Sequence, residues 1–359
     1  MKIGVIGYGY WGPNLVRNFV ELPTCRVVAV SDLSEDRLRR VRARYPAIET
    51  TTNCADLLSR RDIDAVAIAT PVSTHYELAS QALAAGKHVF LTKPLTRTAA
   101  EAERLIAQAE RRKLVLHVDH TFVYTPAVRR IREIVRSGEL GDLYYYDSVR
   151  VNLGLFQPDV NVIWDLAAHD LSILNYIHPS MPIAVSATGM NHVADKPANI
   201  AFLTLFFEDN VIAHLHVNWL APVKLRRTLI GGSRKMIVYD DLEPSEKVKV
   251  YNKGITLTTG KESMYKSLVG YRTGDMWAPQ LDVTEALQIE GLHFLDCVRS
   301  GARSMTDGHA GLAVVRILEA ATESMDRRGR PVELRDQPVA LRDEPIEPVD
   351  LGWKQAVPT

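Results

Sequence analysis

Short apolar runs rich in Val, Ile and Ala alternate with segments whose apolar residues recur every three or four positions, from the start of the chain to about residue 120. The runs KIGVIGY, RVVAVSD, DAVAIAT, KHVFLTK and KLVLHVDH show no polar alternation, the pattern of strands covered on both faces. Between them, SEDRLRRVRARY, STHYELASQALAAG and RTAAEAERLIAQAERR read as amphipathic helices. Strand and helix in turn predict right-handed βαβ units and a doubly wound parallel sheet. Ser34 and Ser73 are placed as helix N-caps and Gly86 as a helix stop.

After about residue 120 the pattern changes. A helix TPAVRRIREIVRSG leads into the strand DLYYYDSVRVNL, a helical DLAAHDLSILNYI follows, and then come PIAVSATGMN, IAFLTLFF, VIAHLHVNWL, LRRTLIGG, KMIVYDD and KVKVYN. The turns EDN and GGSRK suit hairpins, so this part is expected to be an α+β domain on a large open, mainly antiparallel sheet. Two late helices, EALQIEGLHFLDCVRSG and GHAGLAVVRILEAATESMDRRG, are expected to pack back on the first domain. The chain divides into residues 1–120, residues 121–330 and a Pro-rich strap or arm over 331–359. An open sheet carrying IAFLTLFF needs covering, which predicts a homodimer or homotetramer.

The first turn carries chemistry. In IGYGYWGPN, Gly7, Gly9 and Gly12 follow a strand and open a helix, where backbone N–H groups and the helix dipole favour a pyrophosphate. Asp32 then ends the second strand, as a dinucleotide site requires. Gly7, Gly9, Tyr10, Trp11, Gly12 and Asp32 are therefore the expected cofactor contacts in a Rossmann domain. A carboxylate at Asp32 accepts from ribose hydroxyls and repels a 2′-phosphate, which favours NAD; in the competing reading Arg37 or Arg39 offsets it and admits NADP.

Lys plus Arg equals Asp plus Glu at 43 each, so no overall field favours nucleic acid and any anion site is local. No basic-then-apolar leader opens the chain and no apolar run nears the roughly 18 residues of a membrane span, so a cytosolic protein is expected. Cys25, Cys54 and Cys297 are far apart and read as buried reduced thiols. His117, His120, His192, His214 and His216 lack metal-ligand spacing, and no metal is expected.

Oxidising an alcohol against nicotinamide needs a general base beside the hydroxyl, at the carboxyl ends of the strands. Lys93 ends the predicted fourth strand and Pro94 stops it there; the plain alternative is a solvated strand-end lysine. In WDLAAHDLSIL, Asp165 and His169 are four apart and share a helix face, though a helix N-terminal carboxylate and a core histidine explain them too. Arg150 with Asn152, and Lys224 with Arg226, alternate onto strand faces. Such cations suit an anionic substrate group, or else solvated sheet or an interface.

The glycine turn, Thr70-Pro71 through His75, GKHVFLTKP, SGELGDL, DLAAH and TDGHAGLAVVRILEAA together resemble the Gfo/Idh/MocA oxidoreductase family, over nearly the whole chain. The resemblance implies a Rossmann domain followed by an open-sheet α/β domain. It also implies that Lys93, Asp165 and His169 form the catalytic trio, with Thr70, Pro71, His75 and Lys93 on the cofactor side. His169 would then move the proton, Lys93 would bind the reacting oxygen and Asp165 would orient the pair. Two positions depart from the family pattern: Thr92 stands where Glu is usual, and Ala167 where Gly is common. GYGYWGPN, VNLG and WDLAAHDLSI look most like members acting on nucleotide sugars, which implies oxidation at the sugar C3. The other readings are an inositol or free-sugar dehydrogenase, a hydrolase or lyase that oxidises its substrate transiently on retained NAD, and a dinucleotide-sensing member without turnover.

Overall fold

A computed structural model describes residues 1–154, 160–194, 196–257 and 269–334. Its first part alternates β1 (Lys2–Ile6), α1 (Gly12–Glu21), β2 (Arg26–Ser31), α2 (Glu35–Arg44), β3 (Glu49–Thr51), α3 (Cys54–Leu58), β4 (Ala65–Ile68), α4 (His75–Ala84), β5 (His88–Thr92), α5 (Ala99–Arg112) and β6 (Leu116–Asp119). The six strands pair in parallel in the order β3-β2-β1-β4-β5-β6. The order reverses between β1 and β4, and that reversal opens a crevice at the carboxyl ends of the strands.

Apolar patterning hides β3, because Glu-Thr-Thr buries no apolar side chain; the strand exists through its backbone ladder to β2 at the sheet edge. The strand that ends before Lys93 is therefore the fifth in the chain, not the fourth. Ser73 does not cap α4: it lies inside a 3-10 turn, Val72–Thr74, and Thr74 is the N-cap. Ser34 does occupy the N-cap position of α2, without a side-chain capping bond. Gly86 takes φ +75° just past α4, and the Gly86 and Lys87 N–H groups close on the carbonyls of Leu83 and Ala82 at 3.1 and 3.0 Å.

The second part comprises α6 (Pro126–Arg136), β7 (Leu143–Leu153), a π-helical turn (Ile163–Ala167) running into α7 (Ala168–Ile177), β8 (Ala184–Met190), β9 (Ile200–Phe206), β10 (Ile212–Asn218), β11 (Leu220–Gly232), β12 (Met236–Asp240) and β13 (Val248–Tyr251). After these come a β14–β15 ribbon (Gly254–Leu257 with Val269–Arg272), β16 (Met276–Trp277), α8 (Ala286–Ser300), α9 (Gly308–Asp326) and β17 (Val332–Glu333). Nine strands form one sheet in the order β16-β13-β12-β11-β7-β10-β9-β8-β17, antiparallel except where β10 runs parallel to β7. The expected hairpins join β9 to β10 and β11 to β12.

One face of this sheet packs on α6, α7 and α9 through residues such as Leu203, Leu205, Ala213, Leu215 and Ile230. The other face carries Phe202, Phe206 and Ile212, exposed by 43%, 36% and 44%. Helices α8 and α9 do return to the first sheet. Phe294 and Leu295 of α8 join α1 and α2 on one face, while Leu312 and Val315 of α9 join α4 and α5 on the other. A boundary near residue 120 thus separates the two sheets but not their helical covers. Of the expected strap, residues 335–359 lie outside the described residues, and β17 adds the last strand beside β8.

Candidate active site

The glycine turn is shaped by contacts that exclude side chains. Gly7 has φ +97°, and a Cβ there would lie 2.5 Å from the Ala69 carbonyl oxygen. A Cβ at Gly12 would stand 2.2 Å from the Gly7 oxygen, so α1 can start this close to β1 only without one. At Gly9 no such contact exists nearer than Arg37 Nη1 at 3.7 Å, which leaves bare backbone facing the crevice, as the approach of a pyrophosphate demands. The crevice therefore fits a dinucleotide.

Asp32 is buried at the end of this loop. Its carboxylate accepts from Tyr8 N–H at 2.7 Å and Ser34 N–H at 2.8 Å, with Arg37 Nη1 3.4 Å away. Arg37 thus reaches Asp32 from the side of Gly9, whereas Arg39 pairs with Asp36. Tyr10 is exposed by 84%. Trp11 turns the other way and donates its indole N–H to Asp119 at the end of β6, at 2.6 Å.

Across the crevice, Thr70 and Pro71 follow β4. His75 is buried, with Nδ1 2.8 Å from the Pro94 carbonyl and Nε2 2.9 Å from the Thr70 carbonyl. It braces the loops after β4 and β5 against each other and does not present a free ring. Thr92 is buried too. Its hydroxyl donates to the Ile68 carbonyl at 3.1 Å and lies 3.4 Å from His75 Nε2, so this departure from the family pattern acts on the brace and not on Lys93 directly.

Lys93 directly follows β5, and the peptide joining it to Pro94 is cis. Its Nζ donates to the Asp165 main-chain carbonyl at 2.7 Å and to Asp165 Oδ1 at 3.1 Å. Asp165 Oδ2 accepts from the indole of the buried Trp219 at 3.0 Å, so both carboxylate oxygens are fixed. The spacing of Asp165 and His169 predicts one regular helix, but the first turn is π-helical and only the rest is α. Asn161 Oδ1 caps that turn by accepting from the N–H groups of Ile163 and Trp164. Asp165 is engaged by Lys93 and Trp219 and not by His169. Ala167 sits at φ −66°, ψ −25°, a conformation open to any L-residue, so glycine is not required there.

His169 begins α7 close to Lys93. Its ring lies edge-on to Phe122 with centroids 5.0 Å apart, and Nδ1 is buried without a hydrogen-bond partner among the described residues. Burial first, then the charges of Lys93, Arg150 and Arg226, push the imidazole well below its ordinary pKa, so it stays neutral and able to accept a proton.

The two arginines face each other across β7 and β11. Arg150 is buried and bound to Asp170, Nε to Oδ2 at 2.8 Å and Nη2 to Oδ1 at 3.0 Å, with its guanidinium 4.5 Å from the Phe122 ring centroid. Arg226 pairs with Asp241 at 3.0 Å and stands 5.5 Å from the same ring. Each charge is compensated, and each side chain keeps one buried nitrogen without a partner among the described residues, Nη1 of Arg150 and Nε of Arg226. Asn152 is partly buried on the Arg150 face of β7, and Lys224 is exposed where the β7–β11 register breaks.

Sequence patterning missed Trp219, Phe122 and Asp170, because their roles come from contacts between residues at least 20 positions apart. It also missed a buried carboxyl pair under the site. Asp119 accepts from Trp11 and Thr121, and Glu290 of α8 lies against it with Oε1 3.1 Å from His117 Nε2. Burial raises both acids; the charge and hydrogen bond of Asp119 raise Glu290 further, whereas the hydrogen bond from Glu290 favours the ionised Asp119, so the proton stays on Glu290. Among the described residues no three His, Cys, Asp or Glu side chains are grouped to hold a metal, and no helix is long and apolar enough to cross a membrane.

Residues 1–120 match the GFO_IDH_MocA oxidoreductase family with its NAD-binding Rossmann fold, and residues 128–238 match the GFO/IDH/MocA C-terminal domain. The chain is 28% identical over 331 residues to UDP-N-acetylglucosamine 3-dehydrogenase of Acidithiobacillus ferrooxidans, an alignment covering 90% of this chain and 96% of that one. It is 24% identical to myo-inositol 2-dehydrogenase of Thermotoga maritima, over 93% of this chain and 98% of the other. The solved structure of the Acidithiobacillus enzyme superposes with a TM-score of 0.76, covering 91% of this chain and 98% of that one at 27% identity. Both domain matches, in order along the chain and on the sheets described, make this protein a member of the Gfo/Idh/MocA family of NAD-binding oxidoreductases.

Proposed function

We propose that this chain interconverts a ring hydroxyl and ketone of a sugar, with Lys93 and His169 as catalytic residues and Asp165 as their positioning residue. One observation carries the reading: Lys93 Nζ is held at 2.7 and 3.1 Å from Asp165 at the carboxyl edge of the NAD-binding sheet, beside a neutral imidazole. Bound NAD supplies the two-electron acceptor at that edge. Gly7, Gly9, Tyr10, Gly12, Asp32, Thr70 and Pro71 would line its crevice, while Trp11 and His75 act through the loops they brace. Lys93 donates a hydrogen bond to the reacting oxygen and steadies the negative charge that develops there. His169 accepts the hydroxyl proton in oxidation and returns it in reduction. Asp165 fixes the ammonium, and Trp219 fixes Asp165.

The substrate we favour is a nucleotide-linked pyranose oxidised at C3, supported by the full-length similarity to a UDP-N-acetylglucosamine 3-dehydrogenase. The nitrogens of Arg150 and Arg226 without partners among the described residues suit sugar oxygens, Asn152 extends that row, and the exposed Lys224 suits a phosphate. The compensation of both arginines by Asp170 and Asp241 favours a second reading, an uncharged cyclic polyol such as an inositol. A homodimer or homotetramer joined through the Phe202 face of the large sheet, in the cytosol, completes the proposal.

The test follows absorbance of reduced nicotinamide while NAD and a panel of nucleotide sugars, free sugars and inositols are mixed with the protein. Turnover with a nucleotide sugar, abolished in Lys93→Ala and His169→Ala, is the expected result. Turnover with inositols alone selects the second reading. NAD that copurifies, with no net reduction on any compound, overturns both in favour of transient oxidation.

A further inference from the structure

The loop leaving β6 brings a second imidazole to Lys93. Strands β5 and β6 pair with Thr92 opposite Asp119, so Lys93 and His120 are the next residues at the carboxyl ends of neighbouring strands. His120 is 1% exposed, and neither ring nitrogen has a hydrogen-bond partner among the described residues. Burial and then the Lys93 charge push its pKa down to about 3, so the ring is neutral and offers one N–H and one lone pair. A buried donor and acceptor that both lack partners are costly, and native proteins keep them where something else fills the need.

His120 is not isolated in this respect. Around Phe122 and Lys93, five buried nitrogens on four residues lack partners among the described residues: both of His120, Nδ1 of His169, Nη1 of Arg150 and Nε of Arg226. They share one neighbourhood. His169 feels the charges of Lys93, Arg150 and Arg226 and the ring of His120, and Phe122 touches His169 and both arginines. An apolar ligand would leave every one of these groups unmet, whereas a polyhydroxylated ring can meet them. With Lys93 and His169 assigned to the reacting oxygen, His120 stands beside them at the end of the neighbouring strand.

We propose that His120 is a specificity residue that hydrogen-bonds a non-reacting hydroxyl adjacent to the one oxidised, so that the substrate must carry a vicinal hydroxyl in that place. This assignment rests on the reading of Lys93 and His169 given above. A neutral ring suits the task, because it can donate to or accept from a hydroxyl without placing a second cation beside Lys93. A site built to bond a hydroxyl also rejects an analogue that lacks it far more strongly than an apolar pocket could.

The experiment compares the sugar turned over in the panel with its monodeoxy analogues, one hydroxyl removed at a time, in the wild type, His120→Leu and His120→Asn. In His120→Leu, kcat/KM for the parent sugar is expected to fall by about 10- to 100-fold, in keeping with one to two lost hydrogen bonds. For the single analogue lacking the adjacent hydroxyl, the same substitution is expected to cost less than about 3-fold. His120→Asn, which keeps a donor and an acceptor, is expected to recover part of the loss, and calorimetric NAD affinity is expected to be unchanged in both variants. An equal loss on the parent and on every analogue overturns the proposal, as does a fall in NAD affinity that accounts for the loss. Should His120→Leu fail to fold, the same comparison in His120→Asn decides: a loss that does not depend on any one hydroxyl overturns the assignment. Absence of turnover in the wild type overturns the reading of Lys93 and His169, and this assignment with it.

Discussion

Removing the Asp170 carboxylate is the sharpest test of how α7 is held in register behind the site. The Arg150–Asp170 pair is 4% and 2% exposed, and Asp170 also accepts from Ser148 Oγ at 3.0 Å. In Asp170→Ala three buried hydrogen bonds vanish and the Arg150 guanidinium loses its bonded counter-charge, with the nearby Asp241 carboxylate already engaged by Arg226. Breaking a buried pair from one side costs about 3–5 kcal/mol, because the stranded ion, more than the lost attraction, sets the penalty. With a urea m-value of about 3 kcal/mol/M, that loss lowers the unfolding midpoint by about 1–2 M. Asp170 directly follows His169, so kcat is expected to fall in the same variant while NAD affinity holds. The double variant Arg150→Met with Asp170→Leu removes both charges and is expected to regain most of the stability but not the activity. Urea titration followed by circular dichroism reads the first effect, and steady-state kinetics the second. A loss under about 1 kcal/mol, the scale of an exposed ion pair, would refute the reasoning. So would a double variant no more stable than Asp170→Ala.

Three further outcomes are expected. Lys93→Met should lower kcat by about 10²–10⁴-fold, the usual range for a group acting on the reacting proton or oxygen, with calorimetric NAD binding retained. In the wild type the acid limb of the oxidation rate, where His169 becomes protonated as pH falls, should lie below the ordinary histidine range. Where residual turnover of Lys93→Met is measurable, that limb should shift to higher pH, because Lys93 is one of the charges that depress His169; a limb that stays put or moves lower contradicts this assignment. Asp32→Ser should raise the kcat/KM ratio of NADP to NAD by at least about 10-fold, since it removes the repulsive carboxylate and frees the Arg37 guanidinium now 3.4 Å from it; an unchanged ratio would place the 2′-position elsewhere. Phe202→Glu, on the uncovered sheet face, should shift the protein toward monomer in sedimentation at micromolar concentration, and a wild type already monomeric there would remove the proposed interface.

What the sequence determined by itself is local. Apolar runs of the right period specify β1, β2, β4, β5 and β6 with α1, α2, α4 and α5, though not the short α3, because burial leaves a signature in neighbouring residues. Gly7, Gly9 and Gly12 are legible for the same reason: the backbone conformation and the close approach they allow act within one turn. Strand β3 was not legible, since a short polar strand is held by its neighbour's backbone and not by its own side chains. Tertiary structure decided the rest. Only packing brings Trp11 to Asp119, Lys93 to Asp165 and Asp165 to Trp219, contacts separated by 108, 72 and 54 residues of sequence. The same holds for Arg150, whose charge reads in sequence as free to meet a substrate and in the fold is met by Asp170. A side chain's ionisable group and its donor and acceptor atoms are fixed by its identity, but its charge state and which of those atoms remain unpartnered depend on what the whole chain brings against it. At the proposed site the buried nitrogens without partners among the described residues lie on His120, His169, Arg150 and Arg226.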